Sequence, residues 1–88
     1  MKNLKIPSNI AISDSGFIFH PSTGETFTVN AIGSEIIHLL KDDLSFDEIC
    51  SHIALEYEID EKTVNKDLSD YLNQLKNLNI LKEIWELQ

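Results

Sequence analysis

The sequence predicts an α+β fold, a winged helix-turn-helix in which a three-stranded antiparallel β-meander is followed by three helices. Before Asn30, apolar residues recur two apart, the spacing of β-strands, and after it they recur three and four apart, the spacing of an α-helix. Asn30 is itself a favourable helix N-cap. Farther along, two helical patterns are separated by only three residues, as in a helix-turn-helix. These observations favour a small sheet that leads directly into a helical bundle.

Turn residues bound each strand of the predicted meander. The strands are expected at residues 10–13, 17–20 and 25–29, and residues 14–16 form the first turn. Residues 21–24 form a hairpin loop in which the proline fixes φ early and the glycine permits a positive φ late. In the third strand, one face carries Phe27 and Val29, and the other carries Thr26 and Thr28.

The first helix is expected at residues 31–41, with Gly33 in its first turn. Glycine costs about 1 kcal/mol inside a helix, so we expect Gly33 to permit close packing of this helix on the sheet, the alternative being a merely tolerated glycine. Ser45 and Glu48 form a capping box, which starts the second helix at Phe46. Its apolar stripe consists of Phe46, Ile49, Cys50, Ile53 and Tyr57.

Asp60 is the expected N-cap of the third helix, three residues after the second helix ends. Asn79 follows the third helix at the place where a residue in the left-handed conformation ends many helices. The apolar stripe of the third helix consists of Val64, Leu68, Tyr71, Leu72, Leu75 and Leu78.

Length and composition indicate a single domain, residues 1–88, with a small core, because 42% of 88 residues are hydrophobic. Residues 1–7 are expected to form a loose N-terminal arm, and residues 80–88 either a short strand or an extended tail. The sequence contains no recognisable signal peptide or transmembrane segment, and its single cysteine, Cys50, cannot form an internal disulfide. Both observations favour a cytoplasmic location.

The charge balance argues against nucleic acid as a partner. The net charge is −8, and all seven basic residues are lysine, so the chain lacks the arginine that reads guanine bidentately. The exposed face of the third helix, which would be the recognition helix, is mixed in charge. We therefore expect no binding to duplex DNA at physiological salt.

No arrangement of residues in the sequence predicts catalysis. The three histidines, His20, His38 and His52, are scattered, and we expect each to be an exposed or half-buried side chain that binds no metal. Cys50 lies on an apolar stripe, where burial disfavours a reactive thiolate. No glycine-rich phosphate loop is present, and most carboxylates fall on polar faces. We expect a protein that is not an enzyme and has no cofactor.

The ordered set of motifs from Ile10 to Leu81 resembles the PqqD-like proteins, small RiPP recognition elements of ribosomal-peptide modification pathways. Two departures occur at turns: Asp42-Asp43 replaces a frequent Asp-Gly, and Asn79 replaces a frequent Gly, and both substitutes tolerate turn conformations. The matching residues are Gly16 to Phe19, Pro21, Gly24-x-x-x-x-Val29-Asn30-x-x-Gly33, Ser45-x-x-Glu48-Ile49, Val64-x-x-Asp67-Leu68-x-x-Tyr71-Leu72-x-x-Leu75 and Asn79-Ile80-Leu81.

The resemblance implies a non-catalytic module that binds the leader segment of a precursor peptide and presents it to a modifying enzyme, such as a radical SAM enzyme, a cyclase or a leader peptidase. The leader is expected to add as a strand along the third strand and to place side chains in the groove beside the third helix. We expect Tyr71 to hold its ring in this groove and its hydroxyl in water. The implied peptide-binding residues are Glu25, Thr26, Phe27, Thr28, Val29, Asp67, Tyr71 and Gln74.

The physics of the third strand supports strand addition independently. In a sequential meander this strand is an edge, and it lacks the lysine or proline that often protects an edge. The threonines also have a simpler interpretation, as residues of good β-propensity on a solvated face. Two other functions stay open from the sequence: a winged-helix domain for protein interaction or dimerisation, and a DNA-binding transcription regulator.

Overall fold

The structure, a computed structural model, describes residues 2–85. Within them, a two-stranded ribbon, a three-stranded sheet and three helices follow the order β1-β2-β3-β4-α1-α2-α3-β5. The strands are β1 (Lys2–Lys5), β2 (Ala11–Ile12), β3 (Phe17–His20), β4 (Glu25–Thr28) and β5 (Lys82–Trp85), and the helices are α1 (Ala31–Lys41), α2 (Phe46–Tyr57) and α3 (Glu61–Asn77).

The predicted meander is the sheet β2-β3-β4, with both neighbouring pairs antiparallel. The side chains of β3 alternate between the two faces of the sheet: Ile18 and His20 are buried, and Phe17 and Phe19 are exposed. The two phenylalanines therefore lie on the outer face of the sheet. Phe27 on β4 is opposite Ile18 in the register and packs against the core.

The expectation of a loose arm at residues 1–7 is wrong where the structure describes it. Lys2–Lys5 is a strand that pairs antiparallel with Lys82–Trp85, so of the two alternatives for residues 80–88 the strand is found, and residues 86–88 lie outside the described residues. Lys5 also forms an ion pair with Asp43 after α1, and Ile6 is buried. A pairing between strands about 80 residues apart leaves no local signal in the sequence.

The helix starts confirm the predicted caps. The side chain of Asn30 accepts a hydrogen bond from the Gly33 amide at 2.8 Å. Ser45 and Glu48 form both bonds of the capping box, and the Asp60 carboxylate accepts from the Thr63 amide. These caps satisfy amides that have no partner within the helix.

Both departures from the family motif occupy left-handed positions. Asp43 has φ 66° and Asn79 has φ 61°. The amide of the residue that follows each of them donates a hydrogen bond to a carbonyl in the last turn of the helix. Leu44 donates to the Leu39 carbonyl, and Ile80 donates to the Leu75 carbonyl. These are Schellman motifs, which glycine usually closes. Asp and Asn substitute here because they tolerate the left-handed region better than other side chains.

One buried cluster joins the sheet, the helices and the segment after α3. The predicted stripes of α2 and α3 face this core, with the exception of Leu78, which is exposed at the C-cap of α3. His20 also differs from expectation, because it is buried and its Nε2 donates to the Asn79 carbonyl at 3.1 Å. The largest fully buried side chains are Ile10, Ile18, Ile37, Leu40, Ile49, Leu75 and Ile80.

None of the helices in residues 2–85 is both long enough and apolar enough to cross a bilayer.

The two turn glycines of the meander form a matched pair for a stability test. Both have positive φ, +91° at Gly16 and +76° at Gly24. A Cβ at Gly16 would lie 2.5 Å from the Val29 carbonyl oxygen, whereas one at Gly24 would meet nothing within 4 Å. We expect Gly24→Ala to cost about 1 kcal/mol and Gly16→Ala about 3 kcal/mol or more in free energy of unfolding. Urea denaturation followed by circular dichroism measures both, and equal costs would contradict the clash.

Candidate functional site

The outer edge of β4 carries backbone groups without a strand partner among the described residues. In the register, Gly16 stands opposite Val29, and the Val29 amide donates to the Gly16 carbonyl at 2.9 Å. Hydrogen-bonded pairs alternate along an antiparallel ladder, so Glu25 and Phe27 also direct their backbone groups to β3. The amides and carbonyls of Thr26 and Thr28 consequently point away from the sheet. Of the two alternating sets that the sequence left open, the threonines face the free edge.

A groove of about 430 Å³ lies between this edge, the start of α1 and α3. Its apolar floor comes mainly from α1, α2 and α3, and exposed polar side chains, among them Asp67 and Gln74, lie at its rim. Five of the eight predicted residues line it, and the other three, Glu25, Thr26 and Phe27, belong to the adjoining strand. The lining residues are Thr28, Val29, Asn30, Ile32, Gly33, Ile36, Ile53, Ile59, Val64, Asp67, Leu68, Tyr71 and Gln74.

Tyr71 connects α3 to α1 at one wall of this groove. Its hydroxyl donates to the Gly33 carbonyl at 3.1 Å and so has a partner within the protein, while the expectation that it also reaches water stays a prediction. Burial raises the pKa of Tyr71 to about 12. A Cβ on Gly33 would lie 2.7 Å from the Tyr71 hydroxyl oxygen. Gly33 therefore permits a close contact, as predicted, but with Tyr71 of α3 and not with the sheet.

The sequence interpretation missed much of the groove floor. Ile59 is exposed in the connection between α2 and α3, yet it lines the groove. An isoleucine between Glu58 and Asp60 in a three-residue turn is the signal that would have found it. Val64 and Leu68 belong to the predicted apolar stripe of α3, and both are buried. They also line the groove, so each serves the core and the groove together.

A larger hollow of about 740 Å³ lies on the other flank of α3, toward the start of α2 and the β1–β5 ribbon. Leu4, Leu44, Phe46 and Leu72 are its apolar residues, and none of the predicted peptide-binding residues reaches it. The two flanks of α3 thus have different surroundings, and only the flank with Tyr71 adjoins the free strand edge.

Among the described residues, Glu35, His52 and Glu56 bring three potential metal-ligating atoms within 4.8 Å of one another. His52 Nε2 lies 3.0 Å from a carboxylate oxygen of each glutamate, and the Tyr57 hydroxyl donates to Glu35. Partial burial raises the pKa of Glu35, but hydrogen bonds from Glu56, Tyr57 and His52 outweigh it and leave this pKa below its ordinary value. The hydrogen bond to Glu35 raises the pKa of Glu56.

This network joins α1 to α2 by hydrogen bonds and accounts for the position of all three side chains. The prediction that the chain binds no metal stays a prediction.

Cys50 is buried on α2, and burial followed by the charges of Asp47 and Glu61 raises the pKa of its thiol. A raised pKa is the opposite of what a nucleophilic cysteine needs.

The sequence and the order of elements correspond to a known family. The family model for coenzyme PQQ synthesis protein D (PqqD) matches residues 16–81 of the chain. The chain belongs to the PqqD family. The resemblance that the motifs indicated is confirmed, and so is the α+β fold. Among curated protein sequences, none matches this PqqD-family chain.

Two solved structures resemble this PqqD-family protein closely. One is TbiB1 in complex with the TbiA(beta) leader peptide, with a TM-score of 0.80 and 36% identity over 89% of this chain and 94% of that chain. The other is a lasso peptide synthetase B1 complexed with the leader peptide, with a TM-score of 0.80 and 19% identity over 91% of this chain and 98% of that chain. The second shares the fold, and the DNA-binding alternative receives no support from either.

Proposed function

We propose that this PqqD-family protein is a non-catalytic binding module that captures the leader segment of a ribosomally made precursor peptide by strand addition. The observation that carries the proposal is the outward-pointing backbone of Thr26 and Thr28 directly beside the groove of Tyr71. An added strand would satisfy these amides and carbonyls and would extend the three-stranded sheet to four. The leader complex of TbiB1, at 36% identity, supports the same ligand class for this chain.

We propose different roles for the edge and for the groove. Backbone hydrogen bonds at Thr26 and Thr28 are independent of the leader's side chains and supply affinity. Alternate side chains of an added strand point to the same face of the sheet, so every second leader residue faces the groove. The apolar floor formed by residues such as Ile32, Ile59 and Leu68 selects apolar side chains at those positions. Asp67 and Gln74 at the rim contact the polar parts of the same segment.

The proposal extends to the partner and the location. The captured precursor is presented to a modifying enzyme, which can be a radical SAM enzyme, a cyclase or a leader peptidase. The cytoplasm is the proposed location, since the only cysteine is an unpaired, buried thiol. A winged-helix dimerisation domain would use the same edge to pair with a second copy, so the two functions differ in what occupies β4.

Amide hydrogen exchange tests the proposed function at single residues. In the free protein, the amides of Thr26 and Thr28 are expected to exchange fast, whereas those of Phe27 and Val29 are protected by β3. Addition of the cognate leader peptide is expected to slow exchange at the two threonines, because they gain partners. If no amide between Glu25 and Asn30 gains protection with the leader bound, strand addition is wrong. Protection that appears with increasing protein concentration alone would favour dimerisation.

A further inference from the structure

The outer face of the three-stranded sheet is uncharged and carries two exposed aromatic rings. Phe17 is 58% exposed and Phe19 is 44% exposed, and both lie on the central strand β3. The register places Phe19 between Ala11 and Thr26, and places Phe17 opposite Thr28. None of these five residues carries a charge, in a chain where a quarter of all residues do.

Single exposed apolar residues are common on protein surfaces and need no explanation. Two phenylalanines on adjacent outward positions of one strand are different, because covering both rings removes a contiguous apolar surface from water, and that lowers the free energy of the complex. Here the inward positions of β3 hold the buried Ile18 and His20, so the central strand buries one face and leaves its aromatic face open. A partner that covers this face recovers that free energy.

The open face is continuous with the strand edge where the leader is proposed to bind. Thr26 and Thr28 direct their side chains to the outer face and their backbone groups to the edge. A leader strand on β4 would therefore place its own outward side chains in the same surface as the phenylalanines, one strand farther along. A protein that covered this surface would contact the module and the leader at once.

The size of the face argues against a second copy of this chain. Strands of two, four and four residues, about 4.8 Å apart and with about 3.3 Å per residue, present a surface of about 160 Å². A stable dimer needs about 800 Å² from each partner. The face is sufficient as one part of a transient contact that includes the leader. The chain is acidic overall, with a net charge of −8, so a complementary surface is apolar with basic residues around it.

We infer that Phe17 and Phe19 form the docking surface for the enzyme that processes the leader-bound precursor. This inference rests on the proposed function. The inference adds a second interface, on the face of the sheet, that is separate from the edge and the groove. The enzyme binds the composite surface of module and leader, so leader capture and enzyme recruitment are coupled through a shared sheet.

The test uses the double variant Phe17→Thr/Phe19→Thr, which keeps good β-propensity and removes both rings. Leu55→Thr on α2, where the leucine is 84% exposed, is the matched control. Two quantities are measured for each protein: leader affinity by calorimetry with the synthetic cognate leader, and the rate at which the purified cognate processing enzyme converts the full precursor. The expected result is unchanged leader affinity, within about twofold, with a processing rate at least tenfold lower for the double variant only.

Equal processing by the double variant and the wild type would overturn the inference, and so would a loss of leader affinity that accounts for the slower rate. A dimer of the wild type that the double variant abolishes in analytical ultracentrifugation would assign the face to a second copy instead. If the double variant does not fold by circular dichroism, Phe17→Thr alone carries the test with the same criteria. If the wild-type protein does not bind the leader in the first titration, the proposed function is wrong. If the wild type binds the leader but the precursor is processed normally with the double variant, only the docking surface is wrong.

Discussion

Proline at Thr26 and Thr28 is expected to abolish leader capture while leaving the fold intact. The amides of both residues point away from β3, so proline removes no hydrogen bond of the sheet. It does remove the donors that an added strand needs, and its ring occupies the space of that strand. Each substitution is expected to weaken binding about tenfold or more, and the double variant is expected to show no measurable binding. Calorimetric titration with the cognate leader measures the loss.

Two control variants isolate the backbone effect. Thr26→Val/Thr28→Val keeps both amides and a β-branched side chain, and it is expected to bind the leader as the wild type does. Phe27→Pro removes an amide that points toward β3, and it is expected to unfold the protein. Circular dichroism distinguishes loss of fold from loss of binding. Folded proline variants that bind with wild-type affinity would show that the leader does not pair with β4.

Tyr71→Ala is expected to reduce both leader affinity and stability, since the ring forms a wall of the groove and also supports α1. For leader binding we expect a loss of about 1–2 kcal/mol, as for a moderate hot spot. For unfolding we expect a loss of about 2 kcal/mol, because a half-buried ring and its hydrogen bond to Gly33 are removed together. Calorimetry and thermal denaturation separate the two effects.

Tyr71→Phe is the matched control for this position. It keeps the ring in the groove and removes only the donor to the Gly33 carbonyl. The expected result is a stability loss of about 1 kcal/mol with leader affinity close to that of the wild type. If a folded Tyr71→Ala protein binds the leader as tightly as the wild type, Tyr71 does not belong to the site.

Most of the fold could be predicted because its signals are local. The change of apolar period at Asn30, the capping box at Ser45 and the cap at Asp60 each depend on a few neighbouring residues, and all three are found in the structure. The β1–β5 ribbon could not be predicted, because its pairing joins the two ends of the chain. The exposure of Phe17 and Phe19 also could not be predicted from the sequence, because alternation identifies the two faces of a strand but not which of them is buried.

The candidate site could be predicted in part, for the same physical reason. The edge position of β4 follows from the order of a meander, and the flank of α3 with Tyr71 follows from helical geometry. The bond from Tyr71 to Gly33 needs the packing of α3 against α1, which no local pattern contains. Ile59 lines the groove from the turn between α2 and α3, outside the apolar stripe of either helix.

The ribbon of β1 and β5 has a consequence for the order in which the molecule folds and opens. Lys2 stands opposite Trp85, so the ribbon closes a loop that contains almost the whole chain, whereas the hairpin of β3 and β4 closes four residues. Contacts of such long sequence separation carry the largest loop-closure entropy and are expected to form last and fray first. Among the residues of β1 and β5 whose side chains the structure describes, none lines the groove. The ribbon expected to open most readily is thus separate from the groove proposed to capture the peptide, so its opening is expected to leave a bound precursor in place.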